Sequence, residues 1–368
     1  MSDVSSARQP LGLPQLAVTC ALVLVATIYV TGILLTATQL GLGFDFRFQY
    51  YDGATAIVNG DPLYTHPDDP ALEVGKAYVY PPPLAAVLTP VTVLSRDLAT
   101  MVAIVGALAA VLGSLALVGV RDFRCYAAVV LTAPVWNVLE TANVTVLLTL
   151  ALALAWRYRS TVWPLALALG LAISMKMFLR PMTVWVVATR RYGVAVRLAL
   201  VATASLLAAW AAAGFQGMRA YPDLISTLAE IHASQSYSIV GMAEALGIGS
   251  IGGHAALLVV GGSLLATCVV LARRGDDRRA FTLAVAATLA LTPILWQHYL
   301  CLLLVPLAVA RPRFSPIWCL PVVLWIAPRV GHGDGIEPFL PALVAIAVVV
   351  TIVTPLPALR RRLREVVA

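Results

Sequence analysis

The chain has 368 residues, 60% of them hydrophobic and only 12% charged, with a formal net charge of +7. Soluble domains carry about 25% charged residues, so this much apolar surface cannot be hidden in a water-soluble core, and the chain reads as an all-α polytopic membrane protein. The positive surplus falls in short clusters between apolar runs, a pattern that signals topology and argues against a nucleic-acid partner.

The first apolar run, 15–38, follows a single Arg8. It is longer than a secretory h-region and no small-x-small cleavage site follows it, so it is expected to be a retained first helix. Beyond it, "LGLGFDFRFQYYDGATAIVNGDPLY" (residues 40–64) places Asp45 and Arg47 just past a membrane helix. Further apolar segments run over 82–95, 99–120, 125–139, 142–156, 162–175, 177–189, 194–213, 254–272, 280–296, 297–310, 315–328 and 339–356. Several fall short of the ~20 residues that a spanning helix needs. Short, proline-broken segments in pairs predict helices that stop at a cavity instead of crossing lipid.

The basic clusters set the orientation. Arg121/Arg124, Arg157/Arg159, Arg190/Arg191/Arg197, Arg273/Arg274/Arg278/Arg279, Arg311/Arg313 and Arg360/Arg361/Arg362/Arg364 should all be cytoplasmic. Acidic residues gather instead in 40–81, near 140, in 214–252 and in 331–338, which are expected outside. With both ends inside, an odd number of segments means that one does not cross. The proline-bounded 82–95 is expected to dip in only, leaving about twelve crossings. The reading is one domain over 1–368, with extracytoplasmic loops at about 40–81 and 214–252 carrying interfacial helices, and a cytoplasmic basic tail, 357–368.

Other function classes lack their motifs. The five cysteines (Cys20, Cys125, Cys268, Cys301, Cys319) lie in apolar segments with no CxxC pair, which points to packing. There is no Walker A motif, and Gly41–Leu42–Gly43 is too short for a dinucleotide loop. No internal repeat is evident, which weighs against an inverted-repeat transporter.

A charge within a membrane segment costs at least ~2.5–3.5 kcal/mol, so each needs a partner or a task. Under the topology above, one face collects Asp45 and Arg47, Tyr51, Tyr80, Glu140 and Asn143 of "VWNVLETANVTV", Lys176 and Arg180 of "ISMKMFLRP", Gln235 and Ser236, and Trp296, Gln297 and His298 of "LTPILWQHYL". Each has a plain reading by itself. Asp45 fits an interfacial end-charge, His298 a hydrogen-bonded interior histidine, Lys176 and Arg180 snorkelling cations, and the tyrosines an aromatic belt. Together they suit anionic-lipid chemistry. Lys176 and Arg180 would hold a phosphate where low dielectric strengthens the pairing. Asp45 would be a general base, with Asp52 seven residues on as the alternative, and the aromatic rings would stack on a sugar. His298 has no second histidine or carboxylate at ligand spacing, so neither a metal nor another cofactor is expected.

These motifs resemble glycosyltransferase family 87, polytopic GT-C enzymes that use polyprenyl-phosphate sugars. "GFDFRFQYYDGATAIVNGDPLY" is similar to the family's Asp-led first loop, and "AYVYPPPLAAVLTPVTVL" to its Tyr-Pro-Pro segment. "ISMKMFLRP", "HASQSYSIVG" and "LTPILWQHYL" are similar to its lysine, Gln-Ser and Pro-x-x-Trp-x-His motifs. The resemblance spans roughly 15–310 and implies an inverting mannosyltransferase-like enzyme of the plasma membrane. Asp45 would be catalytic, with Lys176 and His298 beside the donor phosphate. The acceptor would be a glycolipid or other lipid-linked glycan on the extracytoplasmic face. The chain departs from the family pattern at Ala142–Asn143, where Gly-Gln is usual, and at Tyr299, where a second histidine is usual. An arginine after the Gln-Ser pair is also missing, with Glu244 nearby. A pentosyl donor, a sugar or lipid transporter, and an inactive polyprenyl-phosphate binder remain alternatives.

Overall fold

The computed structural model describes residues 13–37, 39, 41–327 and 339–354. The expectations for Arg8, for 331–338 and for the tail 357–368 lie outside the described residues. Among the described residues the fold is all-helical. Four helices are long and apolar enough to cross a membrane: Leu16–Thr36, Arg96–Leu117, Tyr192–Ala212 and Gly249–Arg273. They belong to α1 (Leu13–Thr36), α5 (Arg96–Leu117), α11 (Tyr192–Ala212) and α14 (Gly249–Arg273).

The first loop contains a π-turn, Phe46–Tyr50, then α2 (Tyr51–Asn59) and α3 (Pro70–Glu73). The apolar 82–95 becomes α4 (Pro82–Leu88) with a 3₁₀ turn over Thr89–Val93. Between α5 and α11 lie α6 (Phe123–Val130), α7 (Ala133–Thr141), α8 (Thr145–Arg157), α9 (Val162–Met175) and α10 (Met182–Ala188). The second loop carries α12 (Tyr221–His232) and α13 (Ile239–Ala245). The chain continues through α15 (Asp277–Ala290), α16 (Leu304–Ala310) and α17 (Leu340–Val353). Two apolar runs are partly or wholly 3₁₀: Gln297–Leu303, before α16, and Pro316–Ile326. Proline bears on the second, since Pro321 lies inside it and lacks the N–H that α-helical bonding needs.

The main core draws on α8, α9 and α15, among them Leu148, Leu152, Leu165, Leu169, Phe281 and Val285. Gly170 lets α9 press on α11, because a Cβ there would lie 2.9 Å from Val201 and 3.0 Å from the Leu198 carbonyl. The two loops also meet. Tyr221 donates to the Val79 carbonyl at 3.2 Å, and His232 reaches the Leu72 carbonyl at 3.0 Å.

Two polar poles cap this core. At one, Asp277 accepts from Trp185 Nε1 and from Arg191, both at 2.7 Å, with Arg159 at 3.6 Å. This joins the turns after α8, α10 and α14. Asp122 likewise holds Arg124 at 2.8 Å and the Phe314 N–H at 2.9 Å. The opposite pole holds Asp45, Asn143, Lys176 and His298. Helices α8 and α9, of 13 and 14 residues, run between the two. At 1.5 Å per residue they cover about 20 Å, two-thirds of a ~30 Å hydrocarbon core.

Candidate active site

Two left-handed residues bring the first loop against the α7–α8 turn. Gly43 (φ +80°) donates its N–H to the Glu140 carbonyl at 2.8 Å, and a Cβ there would run into the Thr100 methyl group. Ala142 (φ +48°) ends α7 and turns Asn143 inward. Left-handed backbone on a non-glycine residue is strained, and such strain gathers at functional sites.

Asn143 Nδ2 donates to Asp45 Oδ2 at 2.5 Å and to the Tyr80 hydroxyl at 3.1 Å. Its Oδ1 accepts from the Thr145 N–H at 2.9 Å and the Thr145 hydroxyl at 2.7 Å, which fixes the amide's orientation. The Tyr50 hydroxyl accepts from the Val144 N–H at 3.2 Å, and its ring meets Tyr80 edge-on at 5.1 Å. Burial pushes the Asp45 carboxyl up to about 6; Asn143 and the Lys176 charge pull against this, and Glu140 adds to it.

Lys176 sits where α9 breaks, on extended backbone before a 3₁₀ turn, and only 9% of it is exposed. It donates to the Tyr299 hydroxyl at 2.8 Å. Its ammonium also lies over three rings: Tyr299 at 4.0 Å, Tyr80 at 5.2 Å and Phe178 at 5.7 Å. Aromatic faces stabilise a cation without neutralising it. His298, buried against Tyr299 at 4.7 Å, bonds through Nδ1 to Asn137 Oδ1 at 2.7 Å, and Asn137 Nδ2 reaches Glu140 Oε2 at 3.2 Å. Asp45, Tyr80, Glu140, Asn143, Lys176 and His298 thus form one contiguous polar cluster.

The other expected site residues stand apart from it. Arg47 is ion-paired with Asp97. The Tyr51 hydroxyl donates to the Leu94 carbonyl at 2.9 Å. Arg180 is exposed and turns its Nε to the Met177 carbonyl at 3.1 Å. Gln235 is exposed, whereas Ser236 is buried and bonds to the Ala233 carbonyl and the Ser238 hydroxyl, both at 2.9 Å. The Tyr237 N–H bonds to the Leu295 carbonyl at 2.8 Å, which ties that loop to Trp296 and Gln297. Trp296 lies 6.1 Å from His232, and Gln297 donates to the Leu324 carbonyl at 3.3 Å. Asp52 is held by Arg96 at 2.5 Å. An acid so paired anchors α2 to α5 and is a poorer base than Asp45.

The sequence model of glycosyltransferase family 87 matches residues 78–297, well over half of the chain. The chain belongs to glycosyltransferase family 87. Neither the curated proteins nor the solved structures contain a match. The matched stretch of this family 87 chain holds Tyr80, Glu140, Asn143 and Lys176, stops one residue before His298, and leaves Asp45 upstream. Asn137 and Thr145 went unmarked in the sequence, Tyr50 read only as one of the belt or sugar-platform tyrosines, and Tyr299 drew notice only as a departure from the family pattern. Asn137 carried one local signal: it lies three residues before Glu140, on the same face of α7.

Proposed function

We propose that this family 87 membrane glycosyltransferase moves a sugar, mannose first among the hexoses, from a polyprenyl-phosphate donor to a lipid-linked glycan on the extracytoplasmic face. The fold would be a GT-C-type bundle of about twelve crossings in the plasma membrane, one domain over 1–368, with the loops 40–81 and 214–252 outside. The observation that carries the reading is the placing of Asp45 and Lys176 in one buried cluster. A carboxylate of raised proton affinity is suited to take the acceptor hydroxyl's proton as that oxygen attacks the anomeric carbon from the face opposite the phosphate. That attack inverts the configuration. Lys176, caged by aromatic rings, is suited to neutralise the leaving phosphate. Arg180, exposed one helical turn away, would meet the phosphate as the donor arrives, and the rings of Tyr80 and Trp296 offer stacking surfaces for the sugar.

Purified protein incubated with polyprenyl-phosphate mannose and a panel of glycolipid acceptors should yield a mannosylated lipid with inverted linkage. A pentosyl donor used in preference would replace mannose. Movement of substrate across vesicles without bond cleavage would make the protein a transporter.

The acid limb of the pH profile follows from Asp45. The base works deprotonated and its affinity for the proton is raised, so kcat/KM should fall about tenfold per unit below pH ~6. An ordinary solvated aspartate would put the limb near 4, and finding it there would remove Asp45 from the role.

Orientation is testable by cysteine labelling in a background lacking the native cysteines. His66→Cys and Ser234→Cys, both exposed, should react with a membrane-impermeant thiol reagent in intact cells, and Arg274→Cys only after permeabilisation. The reverse pattern would put the site on the cytoplasmic side.

A further inference from the structure

Asn137 lies on α7, and two neighbours fix how its amide is turned. Its Oδ1 meets the backbone N–H of His298 at 3.3 Å, and its Nδ2 meets Glu140 Oε2 at 3.2 Å. A backbone N–H can only donate, so the atom facing it must be the amide oxygen. The carboxylate on the other side asks for the amide nitrogen, which gives the same orientation. That oxygen also lies 2.7 Å from His298 Nδ1. Because an amide oxygen only accepts, Nδ1 must carry the ring hydrogen, and the lone pair of the neutral imidazole falls on Nε2.

Nε2 is buried and has no protein partner, while His298 as a whole is 3% exposed. Buried polar atoms are nearly always paired, so an unpaired acceptor marks a place for a donor to arrive. An ionised phosphate oxygen has no hydrogen to give, which turns His298 away from the phosphate-donor role that the sequence suggested. A hydroxyl group does have one. Tyr299 links the two sides of the cluster, meeting His298 edge-on at 4.7 Å and accepting from Lys176 at 2.8 Å, so the atom lies next to the group assigned to the donor phosphate.

We infer that Asn137 is a positioning residue that holds His298 in the Nδ1–H tautomer, and that Nε2 accepts a hydrogen bond from a hydroxyl of the donor sugar. The identity of the hydroxyl rests on the glycosyl-transfer reading above, whereas the tautomer does not.

Two measurements separate them. In protein labelled with ¹⁵N-histidine and assigned with His298→Gln, the His298 ring should show a protonated Nδ1 and a bare Nε2 without any substrate. Asn137→Ala should shift the ring toward Nε2–H, which loss of fold stability alone would not do. A wild-type spectrum showing Nε2–H overturns the inference, and it needs no variant to fold.

The second measurement is competition against radiolabelled polyprenyl-phosphate mannose by analogues lacking one sugar hydroxyl at a time. One analogue should bind wild type about tenfold more weakly than the parent, the size of one hydrogen bond, and should lose that handicap in His298→Ala. If every analogue loses the same affinity in both proteins, the hydroxyl contact is overturned. If wild type binds no polyprenyl-phosphate mannose, the hydroxyl contact falls together with the donor reading, and the nitrogen spectrum still decides the tautomer.

Discussion

Asp45→Asn is expected to lower sugar transfer by roughly 10²–10⁴, the contribution of a positioned general base, while donor binding survives. The substitution keeps the size of the side chain and removes its basicity. The new amide can still offer an oxygen to Asn143 Nδ2, which now bonds to Asp45 at 2.5 Å, so the α7–α8 turn should hold. Asp52→Asn is the matching control. Its carboxylate is committed to Arg96, at 2.5 and 3.3 Å, so that change should loosen the first loop and leave turnover in the folded protein. Steady-state kinetics with donor-binding assays on both variants checks this. Near-normal turnover in Asp45→Asn, or loss of chemistry confined to Asp52→Asn, would move the base to Asp52.

Lys176→Ala should lower kcat/KM for the donor by an amount corresponding to ~1–3 kcal/mol, as for a lost charged hydrogen bond, with little change in acceptor KM. A second effect distinguishes an electrostatic role from simple packing. The Lys176 charge pulls the Asp45 proton affinity down, so removing it should move the acid limb to higher pH, and Lys176→Met should do the same. Normal donor use with collapsed acceptor affinity would mean that the two substrate sites are exchanged.

Hydropathy is a local property, and it located the apolar runs well. Helix type and length were less legible: Gln297–Leu303 and Pro316–Ile326 are 3₁₀ turns inside runs that read as ordinary helix, and only the second holds an interior proline, Pro321. Asp45 and Lys176 stood out because a charge beside or between apolar segments is costly and therefore visible. Asn137 did not, since a neutral amide in a helix costs little and its partner, His298, lies 161 positions away in the chain. The partner of Arg47 was hidden for the same reason. Nothing local shows that Asp97, 50 positions on, satisfies it.

The pole around Asp277 has a consequence for how the protein is made. Arg159 and Arg191 leave the ribosome well before the carboxylate that joins them. Until α15 arrives, α8, α9 and α10 are short apolar pieces with like charges at their ends, each a weak candidate for stable insertion alone. Asp277 draws those ends together, across the bundle from the far ends of α8 and α9, where Asn143 and Lys176 sit. The contact that ties this pole together therefore exists only once α15 has been made.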